Sequence, residues 1–219
     1  MRSNTLGVIK LDTRFPRVLG DAGNPKSYPC AVRITTVKGA TVDKVLSENL
    51  EERLVNSFVK AAKSLEAQRV VGITTTCGFL VRLQNKLTRM VEKPVLSSSL
   101  LQLPLILSIL PKRKIVCVIT ADSTKLALNK KRVHVVGMQN MKEFKSAILG
   151  NSSTLNTKKL KEEVVAVAKR ALRKNKNIGC FLLECTNLSP YAKAIKRATG
   201  LPVFDYNTMV RWFLSALDE

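Results

Sequence analysis

The sequence predicts an α/β protein of two pseudo-symmetric domains, each with a mainly parallel sheet flanked by helices, and a cleft between them. Three observations carry this expectation. Short runs rich in Val, Ile and Leu alternate with segments of helical spacing along the whole chain, the pattern of parallel sheets covered by helices. The segment 70–95 recurs at 178–203 as an apolar run (VVGITTT, IGCFLLE), a cysteine (Cys77, Cys185), a helix-like stretch and a Pro-Val pair; the cysteines and the Pro-Val pairs are each 108 residues apart. The chain has 219 residues, enough for two units of about 100 residues with a core each.

The elements follow in order. The apolar run 6–11, ended by Asp12-Thr13-Arg14, reads as the first strand. Residues 14–29 hold three prolines and two glycines and read as an extended loop with turns; a loop of this length in a compact domain is usually functional or disordered. The alternation over 30–37 predicts a strand, and Ser47 with Glu51 and Glu52 opens a helix whose apolar residues recur at helical spacing over 50–65. A strand at 70–73, a helix at 77–91 and a strand at 95–98 complete the first rhythm. The second rhythm has helices at 100–110, 123–129 and 141–149, with strands at 115–120 and 133–137 between them. A polar loop over 151–157 leads to a long basic helix at 158–175. The strand 178–183, the helix 190–199, the strand 203–206 and the closing helix 207–217 follow, with Pro190 in a first turn, where its missing N–H costs nothing. If each half hands over to the other just after its Pro-Val strand, the last helix returns to the first domain. The expected domains are then 1–98 plus 207–219, carrying Cys77, and 99–206, carrying Cys185.

Composition narrows the function classes. No apolar run approaches the roughly 18 residues that span a bilayer, and the N-terminus lacks a signal-peptide layout, so a soluble, cytoplasmic protein with no membrane partner is expected. Five cysteines without a CxxC and a single histidine, His134, disfavour a metal centre. Cys30, Cys117 and Cys180 lie in or beside apolar strands and read as core residues. The net charge of +21 draws anionic ligands, and equally nucleic acid or an acidic surface. Its lysines and arginines are spread in short runs such as NKKRV and TKKLKEE without an RNA-binding aromatic motif, as solvated helix faces are.

Chemistry concentrates at the two repeated cysteines. Each stands at the turn after a strand's carboxyl end and before a helix, where open α/β sheets bind ligands. A thiol there has its pKa lowered toward neutrality by the helix N-terminus, and the same N–H groups can hold a carboxylate and the charge that grows on it. One thiol on each side of an α-carbon allows proton removal from one face and return to the other. Thr75, Thr76, Thr186 and Asn187 cluster beside them as candidate substrate-binding groups, and Arg14, Arg17 and Arg33 can hold a second carboxylate in a bidentate fork.

The segments TTTCGF, LLECTNLSPYA and GVIKLDTRFPRVLGDAGNP resemble the aspartate/glutamate racemase superfamily over nearly the whole chain. That superfamily is cofactor-independent and includes hydantoin racemases, maleate isomerases and arylmalonate decarboxylases. The resemblance implies that Cys77 and Cys185 are the two catalytic cysteines. It places Thr76 and Gly78 at carboxylate-binding positions, Thr186 in the Cys-Thr pair, and Asp12 and Thr13 near the substrate amine and first thiol. Asn187 stands where glutamate racemases carry a histidine, and Gly78 where they carry an asparagine, which counts against strict glutamate racemase activity. The paired cysteines count against the decarboxylase branch, which retains one. The activity implied is an isomerase that racemises a small carboxylate-bearing substrate, such as aspartate or glutamate, with no cofactor and as a homodimer or larger assembly. Hydantoin or maleate isomerisation, a basic nucleic-acid-binding module and a non-catalytic relative that senses a small acid remain as alternatives.

Overall fold

A computed structural model describes residues 4–128 and 131–217. Two four-stranded parallel sheets, of the same topology, are each flanked by helices. The first is built from β1 (Thr5–Leu11), β2 (Ala31–Val37), β3 (Gly72–Thr75) and β4 (Val95–Leu96), in the order β2-β1-β3-β4. The second is built from β5 (Ile115–Thr120), β6 (Val133–Gly137), β7 (Ile178–Leu183) and β8 (Val203–Phe204), in the order β6-β5-β7-β8. In each sheet the strand order reverses beside the first strand, so each has a switch point at the carboxyl ends of β1/β3 or β5/β7, where open α/β sheets take ligands. The expected fold class is the observed one.

Helices α1 (Val42–Leu46), α2 (Glu52–Ala67), α3 (Gln84–Met90) and α4 (Leu103–Ile109) belong to the first half of the chain. In α2 the residues Leu54, Phe58, Ala61, Ala62 and Leu65 recur at i, i+3 and i+4 and are all buried, which seats that face on β1–β3. Then come α5 (Lys142–Phe144), continued by a π-turn over Lys145–Leu149, α6 (Thr157–Lys174), α7 (Ala192–Thr199) and α8 (Tyr206–Ser215). The Asn156 side chain caps α6 by accepting from the Lys159 N–H. Its buried face is Leu160, Val164, Val167, Ala168 and Ala171, while Lys158, Lys159, Lys161, Lys169 and Arg170 lie exposed, as a solvated basic face does. Helix α8 starts at a capping box formed by Asp205 and Thr208. It packs on the first sheet: Tyr206, Met209, Val210 and Leu214 share a buried cluster with Leu6 and Leu96. The Phe213 ring presses so closely on Gly72 that a Cβ there would lie 2.7 Å from it.

Several local expectations are corrected. Residues 123–128 form turns and irregular chain instead of a helix, and Asn129 lies outside the described residues. Asp122 Oδ1 accepts from both the N–H and the hydroxyl of Thr124, a local bond that competes with helix formation. Ser47 does not start the long helix; it terminates α1, its hydroxyl donating to Lys44 O. Strand β3 begins at Gly72, two residues after the apolar run does. Cys117 and Cys180 are fully buried as expected, whereas Cys30 is only half-buried at the start of β2. His134 lies on β6, an edge strand whose residues are all half-buried.

Candidate active site

The expectation of an α-helix directly after each cysteine is also corrected. A 3-10 turn comes first, over Gly78–Leu83 after Cys77 and over Thr186–Tyr191 after Cys185, and only then does the α-helix begin. Both cysteines occupy the N-cap position in extended backbone, and each thiol receives the N–H two residues on, that of Phe79 or of Asn187. These N–H donors favour the thiolate, but burial outweighs them. The Cys77 thiol is pushed up to about 12, first by desolvation and then by the negative charge of Glu184. Desolvation and Glu184 likewise raise Cys185 well above the ordinary thiol range. The expected lowering toward neutrality is therefore reversed, because a short 3-10 turn in an apolar enclosure offers less than the lost hydration takes away.

Both cysteines line one small cavity between the carboxyl ends of the two sheets, together with Thr76, Gly78, Glu184 and Asn187. Apolar walls come from both halves, including Leu11, Phe15, Leu46, Phe79, Ile148 and Leu149. The cavity measures about 30 Å³, space for water but not for a small organic acid. Admission of a ligand therefore requires these walls to part.

The two cysteine turns clasp each other. Thr186 Oγ1 donates to Thr76 O at 2.7 Å, across 110 residues of chain. In return, Gly78 makes room for Glu184: a Cβ on Gly78 would lie 2.2 Å from the Glu184 carbonyl oxygen and 2.3 Å from Oε1. Glu184 stands just past the end of β7 and is fully buried. Its Oε2 accepts from Thr120 Oγ1 at 2.8 Å, at the end of β5, while Oε1 has no hydrogen-bond partner among the described residues. Desolvation raises its carboxyl to about 7, against the pull of Thr120 and the Ala121 N–H.

The long loop over 14–29 enters the site through Arg17 and Asp21. Arg17 Nη1 pairs with Asp21 Oδ1 at 2.9 Å and Nη2 donates to Thr13 Oγ1 at 2.7 Å. Its guanidinium lies 4.3 Å from the Phe15 ring centroid, and its buried Nε has no partner among the described residues. Asp21 Oδ2 accepts from Asn187 Nδ2 at 2.6 Å, and Asn187 Oδ1 accepts from Cys185 Sγ at 3.5 Å. A chain of polar contacts thus runs from Arg17 through Asp21 and Asn187 to the second thiol.

Of the residues expected at the site, Cys77, Cys185, Thr76, Gly78 and Asn187 line the cavity. Thr75 stays in the sheet, donating to Ser97 O, and Thr186 points into the clasp. Thr13 touches the site only through Arg17; Asp12 Oδ2 accepts from the Gly39 N–H; Arg14 is exposed, with its N–H on Asn151 Oδ1. Of the three candidate arginines Arg17 is at the cavity, whereas Arg33 is exposed on β2. Glu184 and Asp21 are buried members of the network that sequence patterning does not single out. The one sequence signal for Glu184 is a carboxylate ending an otherwise apolar strand.

No protein-family model matches the chain. Among curated proteins it is 34% identical to dimethylsulfoniopropionate lyase 7 of Emiliania huxleyi (strain CCMP1516), over 97% of this chain and 67% of that protein. The chain belongs to the dimethylsulfoniopropionate lyase family. It is 31% identical to lyase 3 of the same organism, over 97% of this chain but only 60% of that protein. It is also 29% identical to the lyase of Durusdinium sp. clade D, over 96% of this chain and 74% of that one. In fold the chain is similar to racemases and a decarboxylase of known structure. Solved structures similar to the chain include an allantoin racemase from Klebsiella pneumoniae (TM-score 0.62, 12% identity, 98% of this chain and 89% of that one) and arylmalonate decarboxylase (TM-score 0.58, 15% identity, 97% and 92%). Another is a glutamate racemase from Francisella tularensis (TM-score 0.54, 14% identity, 99% and 81%). Membership in the dimethylsulfoniopropionate lyase family supports an enzyme. Among the described residues no helix is long and apolar enough to cross a membrane.

Proposed function

We propose that the chain is a lyase acting on a small carboxylate with an onium group on its β-carbon, as dimethylsulfoniopropionate has. The observation that supports it is the joint placement of two thiols and Arg17 around one mostly apolar cavity, within a chain of the dimethylsulfoniopropionate lyase family. The carboxylate pairs with the guanidinium of Arg17, which lines the cavity, in a charge-assisted bond. A thiolate then removes the proton next to that carboxylate. The C–H electron pair becomes the double bond of acrylate, the β-carbon–sulfur pair leaves with dimethyl sulfide, and the proton remains on the thiol. One base suffices, because nothing is protonated on the opposite face. The leaving group is neutral and apolar, as are the walls that receive it.

Charge distinguishes the two thiols. Arg17 and Arg82 both favour the Cys77 thiolate, while Asp21 and the other thiol disfavour that of Cys185. Cys185 also points its sulfur at Asn187 Oδ1, an acceptor that holds it in the S–H form. Cys77 is therefore the base in this reading. The test is release of dimethyl sulfide and acrylate in equal amounts from dimethylsulfoniopropionate, followed by headspace gas chromatography and proton NMR. Absence of both products at millimolar substrate, with the protein folded, rejects the reading.

A second reading keeps the two-base chemistry expected from the cysteine pair: racemisation of a small amino acid such as aspartate or glutamate. The matched N–H donors at the two thiols favour it. Deuterium incorporation at the α-carbon of L-amino acids in heavy water, without dimethyl sulfide release from the sulfonium acid, is its signature.

A further inference from the structure

Two thiols this strongly protonated leave a question about the first proton. A thiol held near 12 cannot serve as a base at neutral pH unless its own proton has a destination. Water is a poor one, since the cavity is small, about 30 Å³, and mostly apolar. The groups that face the thiols are few. Arg17 and Asp21 come from the long loop, Arg82 from the turn after Cys77, and Glu184 from the end of β7. The arginines are already cationic. Asp21 is engaged by Arg17, Asn187 and the Gly23 N–H. Among the described residues Glu184 alone presents a buried carboxylate oxygen without a hydrogen-bond partner, at the cavity and against the residue that follows Cys77. Thr120 fixes the other oxygen, so the carboxylate is oriented, with Oε1 left open. The glycine at 78 is what permits this approach.

We propose that Glu184 is the proton acceptor of the catalytic thiol, its unpartnered Oε1 taking the S–H proton as Cys77 becomes the thiolate that deprotonates substrate. This rests on the reading of Cys77 as base. In the transfer the S–H bond breaks, an O–H bond forms, and the single negative charge moves from carboxylate to sulfur. The thiolate next takes the substrate's α-proton, and Glu184 releases its own proton to solvent after the products leave. The balance is one proton released per dimethyl sulfide and acrylate formed. Glu184 thus acts through the thiol, as a positioning and proton-holding residue.

The assignment predicts opposite changes in thiol ionisation and turnover. Glu184→Gln removes the charge that suppresses both thiolates. Alkylation of Cys77 by iodoacetamide, mapped by mass spectrometry across pH 5–11, should therefore shift to lower pH by about one unit, a roughly tenfold faster reaction at pH 8. Turnover should nevertheless fall by about 100-fold, with the acid limb of kcat near pH 7 abolished, because the proton acceptor is gone. Glu184→Asp should retain that limb and part of the rate, and it carries the test if the glutamine variant does not fold. An unchanged alkylation profile overturns the proposal. So does turnover rising in step with the thiolate, which would make Glu184 only an obstacle, or a raised KM with kcat unchanged, which would make it a seat for the onium group. If the wild-type protein releases no dimethyl sulfide, the functional reading falls, and the alkylation profile alone upholds or overturns the link between Glu184 and the thiol.

Discussion

The two cysteine turns occupy equivalent places in equivalent sheets, yet their neighbours differ at nearly every position. Before Cys77 stands Thr76, and 108 residues on, before Cys185, stands Glu184. Thr76 Oγ1 accepts from the Leu11 N–H and so satisfies the carboxyl end of its sheet's central strand β1; Glu184 spends one oxygen on Thr120 and leaves the other without a partner among the described residues. After Cys77 comes Gly78, which yields space; after Cys185 comes Thr186, which reaches across and binds. The two sheets thus form a symmetric frame, and the residues flanking each sulfur make it directional. A racemase has use for equal bases, because its substrate arrives in either hand. A lyase needs one base, and the unequal neighbours here favour the one-base reading proposed above.

Separate replacement of the two thiols breaks or sharpens this contrast most strongly. Cys77→Ser should lower release of dimethyl sulfide by about 1,000-fold, within the range that general-base catalysis contributes. Cys185→Ser should cost roughly tenfold, through altered packing and field only. Equal losses from both would restore the symmetric, two-base picture, and a larger loss at Cys185 would exchange the roles. Initial rates under saturating substrate decide among these outcomes.

Only one of the two turns carries an ionisable group before its cysteine, so only one should make stability depend on pH. The Glu184 carboxyl is raised by burial from 4.5 to about 7. Between those values the unfolded chain gives up its proton while the folded chain keeps it, so stability falls as pH rises through the window and stays low above it. The span corresponds to roughly 3 kcal/mol. Glu184→Gln should therefore melt at about the wild-type temperature below pH 4.5 and increasingly above it up to pH 7, while Thr76→Val shows no such divergence. Parallel wild-type and glutamine melting curves across pH 4–8 would mean that the carboxyl titrates normally.

How much of this is legible in the sequence depends on whether the determinants are local. Strands β5 and β7 coincide with their apolar runs because both are central in a parallel sheet and buried on both faces, which makes nearly every residue apolar, Thr120 at the end of β5 excepted. The repeat of Cys77 and Cys185 is legible for a similar reason: the turn after each strand is written in consecutive residues. The turn over 122–128 is not, because a single Asp122–Thr124 contact decides against the helix that composition suggests. The thiols' protonation is not legible either. It depends on walls drawn from residues as distant as Phe15 and Ile148, and on a carboxylate whose burial is settled by Thr120, 64 residues away. Arg17 reads as one cation among many in the sequence; only the fold withdraws it from water against Phe15 and Asp21.

The clasp between the turns gives the smallest effects and the finest comparison. Its two halves work by opposite means: Thr186 adds a bond to Thr76 O, whereas Gly78 omits a side chain for Glu184. Thr186→Val keeps the shape but leaves a buried carbonyl without its donor, which costs about 1–3 kcal/mol. Gly78→Ala forces a methyl against the Glu184 backbone as well as its carboxylate, an overpacking of about the same size, 1–3 kcal/mol. Stability alone does not separate them, but their effect on Cys77 does. The alanine must displace Glu184, so it should move the Cys77 alkylation profile toward lower pH as the carboxylate withdraws. The valine leaves Glu184 in place and should not. If both variants shift the profile alike, the clasp is one mechanical unit, and Gly78 has no special part in setting the charge beside the first thiol.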